Sequence, residues 1–168
     1  MKKLLEYLHE PNRKYRLLPD QVERIKKRIN RLEKSDYKDS NEKEIEELKS
    51  ILKRHIPARI HYDYINIGTC FTVTEIYLGK RTTGKYQLVD FLETLNNHYD
   101  ETGEYTRITL DSLIGQAVYG KKVGETFNYS TNPTFALAIG EKAKISFNVI
   151  GMIEDIKTPT KETSKKFK

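Results

Sequence analysis

Three carboxylates crowd one polar stretch of the sequence: Asp36, Asp39 and Glu42. Short Asp and Ser side chains initiate turns and accept hydrogen bonds from the free amides of a helix N-terminus. Alternatively, Asp36 and Asp39 can share a Mg²⁺ ion and orient a water for phosphodiester hydrolysis, provided that another protein supplies the rest of the site. The spacing alone leaves both interpretations open.

A second candidate segment spans residues 111–125, Asp-Ser-Leu-Ile-Gly-Gln-Ala-Val-Tyr-Gly-Lys-Lys-Val-Gly-Glu. Asp111 and Ser112 are good N-cap residues for a short helix. Gly120 tolerates the left-handed conformation that ends a helix. The segment therefore predicts a capped short helix between two strands. We expect the cap to present Leu113 and Ile114 outward.

Basic residues crowd the helix predicted after Pro19: Arg24, Lys26, Lys27, Arg28 and Arg31. They form either a solvated helix face or a contact with nucleic-acid phosphates. The four histidines are scattered and indicate no metal site or catalytic triad. Cys70 lies in an apolar run and is predicted to be a buried strand thiol.

Two helices must position the carboxylates. The first has apolar residues at heptad spacing, and so does the second, which begins near Asn41 with Glu44 at capping-box spacing. The apolar positions are Val22, Ile25, Ile29 and Leu32, then Ile45, Leu48, Ile51 or Leu52, and His55. Because neither helix can bury its stripe alone, we predict an antiparallel hairpin. The alternative is a pair of helices lying flat on the body.

The hydrophobic period becomes strand-like after residue 58. Strands are predicted at residues 69–77, 84–89, 107–110, 126–129 and 143–153. Residues 12–17 are predicted to be a basic connector, and residues 79–84 a turn. The expected domains are an N-terminal arm (1–18), a coiled-coil hairpin (19–57), a sheet domain (58–156) and a disordered basic tail (157–168).

The composition favours an acidic partner. The net charge is +6 with a pI near 9.2, and 32% of residues are charged. Such a balance suits nucleic acid or an acidic protein surface, although mild basicity is also common in proteins without such a partner. The single cysteine excludes an internal disulfide. The sequence shows no signal peptide and no apolar run of membrane-spanning length, so we expect a cytoplasmic protein without a membrane partner.

Residues 111–125 resemble the Asp-Ser-Pro-Leu-Gly-Lys-Ala-Leu-Leu-Gly-Lys-Lys-Val-Gly-Asp segment of the Gre family of bacterial transcript cleavage factors. Leu113 replaces the usual proline. Residues 68–75 and 83–89 resemble two family strands, and residues 36–40 resemble the Asp-Leu-x-Glu-Asn motif at the family's tip. Nine positions of the first segment are identical: Asp111, Ser112, Gly115, Ala117, Gly120, Lys121, Lys122, Val123 and Gly124.

The resemblance implies an α+β protein in which an antiparallel coiled coil precedes an FKBP-like antiparallel sheet domain with one short helix. It implies a monomeric transcription elongation factor that binds core RNA polymerase at the rim of the secondary channel, on the largest catalytic subunit. The docking residues would be Asp111, Ser112, Leu113, Ile114 and Gly115.

By the same resemblance, Asp36 and Asp39 would act only within the polymerase active centre, which supplies the Mg²⁺. Residues 19–34 make a helix of about 24 Å, roughly half the family's length. In its short coiled coil the chain resembles the regulator of nucleoside diphosphate kinase, a Gre-like protein. An alternative function is therefore that the chain occupies the channel and competes with Gre factors without stimulating cleavage. Where the basic residues Arg24, Lys27, Arg28 and Arg31 are interpreted as a functional surface, they would contact nascent RNA or phosphates near the channel.

Two other functions compete with this interpretation. FKBP-like folds include prolyl isomerases, but those use an aromatic pocket with a tryptophan floor, and this chain has no tryptophan. A free-standing nucleic-acid-binding module would bind RNA without polymerase and with steep salt dependence. We expect no intrinsic enzyme activity and no bound cofactor.

Overall fold

The computed structural model describes Leu8 and residues 13–37, 39–92, 99–131 and 147–158. Within them the fold is mixed α+β, as predicted. The elements in chain order are β1 (Arg16–Leu17), α1 (Pro19–Glu33), α2 (Glu42–Arg54), β2 (Ile56–Pro57), β3 (Cys70–Tyr77), β4 (Lys80–Val89), β5 (Thr106–Thr109), α3 (Leu113–Val118), β6 (Thr126–Thr131) and β7 (Phe147–Ile156).

Helices α1 and α2 pack against each other through the predicted apolar positions. Their buried residues join Leu17 in one cluster that contains Ile25, Ile29, Ile45, Leu48 and Ile51. Ion pairs cross between the helices from Arg28 to Glu44 and from Lys49 to Glu33. We call α1 and α2 the helical pair; true coiled-coil packing of this pair stays a prediction.

The predicted capping box at the start of α2 is wrong. Asn41 has helical backbone angles and makes no side-chain hydrogen bond to the helix. Glu44 instead accepts a hydrogen bond from Arg28 Nε at 2.6 Å. A charge-assisted bond to arginine is stronger than a bond to a neutral amide, which explains why Glu44 turns toward α1.

The sheet has the strand order β5-β4-β3-β7-β6. The expected antiparallel pairing is found for β3–β4, β3–β7 and β6–β7, but it is wrong for β5, which pairs with β4 in parallel. Residues 90–105 separate these strands, and a connection of this length can return the chain to the same direction.

The predicted turn at residues 79–84 is also wrong. Leu78 and Gly79, both with positive φ, make a two-residue turn, and β4 begins at Lys80.

The predicted connector at residues 12–17 contains a short strand. Arg16 and Leu17 pair in parallel with Ile56 and Pro57, so the chain entering α1 is bonded to the chain leaving α2.

Some of the predictions fall on residues that lie outside the described ranges. They concern most of the N-terminal arm, residues 143–146 of the last predicted strand and residues 159–168 of the predicted tail. The domain boundaries therefore stay predictions. No helix in the described ranges is both long and apolar enough to span a membrane.

A buried ion pair links the helical pair to the sheet. Arg107 on β5 is only 3% exposed, and its Nη1 lies 2.8 Å from Asp20 Oδ2 at the start of α1. Its Nη2 donates to Asp20 Oδ1 at 3.0 Å, so the guanidinium makes one hydrogen bond and one further ion-pair contact with this carboxylate. Arg107 Nε donates to Gln87 Oε1 at 2.9 Å. The guanidinium is thus bonded both to the helical pair, through Asp20, and to the sheet, through Gln87 on β4.

Two further polar contacts surround this ion pair. Gln21 Nε2 donates to the carbonyl of Phe91 at 2.7 Å. The buried carboxylate of Asp90 accepts from the Arg16 amide at 2.9 Å and lies 3.5 Å from Arg13 Nη2. We call the set Asp20, Gln21, Asp90 and Arg107 the joint.

Replacing Arg107 with alanine should strongly destabilise the protein. It leaves the Asp20 carboxylate with only the more distant Arg24, 3.8 Å away, and removing one member of a buried ion pair typically costs about 3–5 kcal/mol. Urea unfolding measures this loss. The control is Lys85→Ala, which breaks the exposed Lys85–Glu104 pair and should leave the unfolding midpoint nearly unchanged. Equal midpoints for the two variants would contradict the joint's role.

Candidate partner-binding sites

The turn that precedes α3 is built by Ser112. Its Oγ donates to the carbonyl of Thr109 at 2.6 Å and accepts from the amide of Gly115 at 3.0 Å. Gln116 Nε2 donates to the Asp111 carbonyl at 2.9 Å. The predicted N-cap is confirmed, as is the stop at Gly120, whose φ is +78°. These bonds fix the backbone of the turn.

The five predicted docking residues differ in what they can offer a partner. Asp111 is exposed, and Leu113 is 55% exposed although it is apolar. Ser112 uses its hydroxyl within the turn. Ile114 is half-buried and packs against the main core, so the expectation that it points outward is wrong. Helical spacing places Ile114 on the same side as Val118, which is fully buried.

Gly115 serves the fold rather than an open surface. A Cβ at this position would lie 2.0 Å from the carbonyl oxygen of Thr109, and the residue is buried. Only glycine lets α3 approach the end of β5 this closely. The accessible surface is therefore the 111–113 turn, which we define as Asp111, Ser112 and Leu113.

The tip between α1 and α2 presents exposed carboxylates from Asp36, Asp39 and Glu42. The turn itself is held by other groups: Ser35 Oγ accepts from the Tyr37 amide at 3.2 Å, and the Asn41 amide donates to the Tyr37 carbonyl at 3.2 Å. The side chains of Asp36 and Asp39 make no hydrogen bond or ion pair with other described residues, although the Asp39 carbonyl accepts from the Glu42 amide at 3.5 Å. Their side chains therefore do not act as the turn-forming groups that the first interpretation required.

Sequence reasoning missed the aromatic ring at this tip. Tyr37 is 74% exposed, the largest exposed fraction among the exposed large apolar and aromatic residues in the described ranges. An aromatic residue in an otherwise polar turn was the available signal. Lys38 lies outside the described residues. In the part of the chain that the structure describes, no group of three His, Cys, Asp or Glu residues is arranged to hold a metal ion.

The basic face of α1 is smaller than the sequence suggests. Arg28 is held by Glu44, with contacts from both Nε and Nη2. Arg24 Nε lies 3.8 Å from Asp20 Oδ2, one helical turn away. Lys27 and Arg31 are exposed and one turn apart. Of the predicted nucleic-acid contacts, these two are the ones left open to a phosphate.

Cys70 behaves as predicted for a structural thiol. It is half-buried in β3, and burial raises its pKa to about 12, with the nearby Asp100 carboxylate adding to the effect. The thiol is therefore neutral at physiological pH. A neutral thiol is a poor nucleophile.

The α3 turn generates a paired stability prediction. Gly115→Ala should lower the free energy of unfolding by about 1–3 kcal/mol, since the new methyl group must displace backbone. Leu113→Ser should change it by less than about 0.5 kcal/mol, because the side chain is mostly in solvent. Thermal or urea unfolding measures both. A Leu113→Ser loss as large as that of Gly115→Ala would show that Leu113 belongs to the core.

No protein-family model and no curated protein sequence matches this chain. Among solved structures, the chain is similar to the transcription factor Gfh1 (TM-score 0.33, 17% identity, covering 94% of this chain and 92% of that one). It is also similar to Gfh1 of Thermus thermophilus, with a TM-score of 0.33 and 17% identity over 87% of this chain and 100% of that one. A third similar structure is the transcription elongation factor GreA/GreB of Nitrosomonas europaea, with a TM-score of 0.32 and 16% identity over 89% of this chain and 100% of that one. TM-scores this low do not establish a shared fold, and no function follows from them.

Proposed function

We propose that the chain binds bacterial RNA polymerase at the rim of the secondary channel and inserts its helical pair into the pore. The observation that carries this proposal is Leu113, an apolar side chain held 55% exposed by a rigid helix cap. It lies in the segment whose sequence resembles the Gre docking segment. An exposed apolar residue on a fixed backbone is suited to anchoring a protein interface.

The length of the helical pair bears on what the tip can do. Helix α1 has 15 residues and α2 has 13. At the usual rise these span about 22 Å and 20 Å, roughly half the length implied for the Gre family. We propose that the tip occupies the channel, stops short of the catalytic Mg²⁺ and excludes longer channel factors. The chain then has no hydrolytic activity of its own, and any Mg²⁺ belongs to the polymerase.

The joint gives this proposal a mechanical basis. The helical pair can enter a pore only if its direction is fixed relative to the docking surface. Asp20 at the start of α1 and Arg107 on β5 form a hydrogen-bonded ion pair, and β5 leads directly into the 111–113 turn. The contact that orients the helices is therefore only four residues from the proposed docking turn.

Leu113→Asp should weaken binding to core polymerase by at least about tenfold, because it places a charge where an apolar anchor is proposed. Binding can be measured by biolayer interferometry with immobilised core enzyme. The matched control is Leu78→Asp, which changes another exposed apolar residue (64%) in a turn whose positive φ aspartate tolerates. Undiminished binding by Leu113→Asp would count against docking through this turn.

The tip is tested by transcript cleavage in a stalled elongation complex. The wild-type chain should not accelerate cleavage, and it should slow the cleavage that an added Gre factor stimulates. The double variant Asp36→Asn, Asp39→Asn should inhibit equally, since occupancy rather than metal sharing is proposed. Acceleration by the wild type that disappears in the double variant would instead assign the tip carboxylates to the catalytic Mg²⁺.

A further inference from the structure

The centre of the sheet carries a carboxylate, Glu75, that neither the joint nor the proposed docking turn uses. Glu75 lies on β3 and is paired with Gly151 on β7. Its two carboxylate oxygens face two phenols: Oε1 lies 3.3 Å from Tyr129 Oη, and Oε2 lies 3.4 Å from Tyr86 Oη. The side chain is half-buried.

Two glycines allow aromatic rings to lie beside Glu75. A Cβ on Gly84 would fall 2.5 Å from the Tyr86 ring, and a Cβ on Gly151 would fall 2.3 Å from the Phe127 ring. The rings therefore lie directly over glycine backbone, an arrangement that compensates for a glycine in a strand. Tyr129 stacks parallel to Phe127. We call Glu75, Tyr86, Phe127 and Tyr129 the Glu75 cluster.

The two phenols lie beside the Glu75 carboxylate without fully satisfying its capacity to accept hydrogen bonds. Hydrogen bonds from a hydroxyl to a carboxylate are usually about 2.5–2.7 Å long, and both contacts here are much longer. No cationic side chain among the described residues pairs with Glu75. Burial raises the pKa of Glu75 and of both tyrosines, so the cluster disfavours an uncompensated negative charge. A bound cation would relieve that cost.

We propose that the Glu75 cluster is a docking site for an arginine side chain of a protein partner. The carboxylate can accept two parallel hydrogen bonds from a guanidinium, and the tyrosine rings can contact its planar face. Lysine fits less well because its ammonium group is more strongly hydrated and lacks a flat face. This site does not depend on binding to RNA polymerase.

The direct test is an NMR titration of the ¹³C,¹⁵N-labelled full chain with N-acetyl-arginine amide. The Glu75 Cδ signal and the tyrosine ring signals should shift and saturate, with a Kd in the millimolar range. N-acetyl-citrulline amide has the same shape without the charge and should bind at least about tenfold more weakly. Equal shifts with both ligands, or no saturable shift with arginine, would overturn the proposal.

Two variants separate a binding role from a structural one. Glu75→Gln should abolish the arginine response while its amide spectrum remains that of the folded chain. The control Glu154→Gln changes an exposed carboxylate on the neighbouring strand, which accepts from Thr74 Oγ1 at 2.8 Å, and should leave the response unchanged. A response that persists in Glu75→Gln, or disappears in Glu154→Gln, contradicts the site.

The tyrosines provide a second readout. Tyr129→Phe keeps the ring and removes the hydroxyl, so arginine binding should be retained. Tyr129→Leu removes the aromatic face and should weaken binding severalfold. If Tyr129→Phe loses binding as completely as Tyr129→Leu, the hydroxyl rather than the ring makes the contact, and the proposed geometry is wrong.

Discussion

The ion pair between Asp20 and Arg107 is the constraint on which the rest of this structure depends. It joins the first turn of α1 to an edge strand of the sheet, 87 residues away in sequence. A buried pair of this kind adds little net stability compared with apolar residues, but losing one member is costly. Its effect is therefore on geometry: the carboxylate and the planar guanidinium fit in one orientation, and Gln21 and Asp90 add directional bonds beside them. The helical pair and the sheet are consequently two units with one fixed relation.

The fixed orientation of the helical pair on the sheet also fixes the relative position of two exposed surfaces. Leu113 projects from a turn just after β5, the strand that carries Arg107, whereas Tyr37 and its neighbouring carboxylates lie at the far end of the helices that begin at Asp20. A large partner that contacts both surfaces must match the direction set by the joint. The proposed insertion of the helices into a polymerase pore requires such a match.

Much of the local structure could be predicted from the sequence. The apolar spacing through Ile25, Ile29, Ile45 and Leu48 gave the correct helix faces, and Ser112 and Gly120 gave the correct start and stop of α3. Two of the failures have the same physical cause, which is that long-range partners override local preference. The Glu44 side chain bonds to Arg28 on the other helix instead of capping α2. The Ile114 side chain packs inward because the core lies on that side of α3. The parallel pairing of β5, the Asp20–Arg107 pair and the Phe127 ring over Gly151 depend on contacts between distant segments, which one sequence does not reveal.

The most direct test of the central claim is a cryo-electron microscopy structure of the chain bound to core RNA polymerase. The account predicts density for both helices inside the secondary channel, Leu113 against the rim on the largest subunit, and an intact Asp20–Arg107 contact between them. A complex in which the sheet docks while the helices lie outside the channel would contradict the account. So would a preparation in which the chain and the core enzyme form no complex.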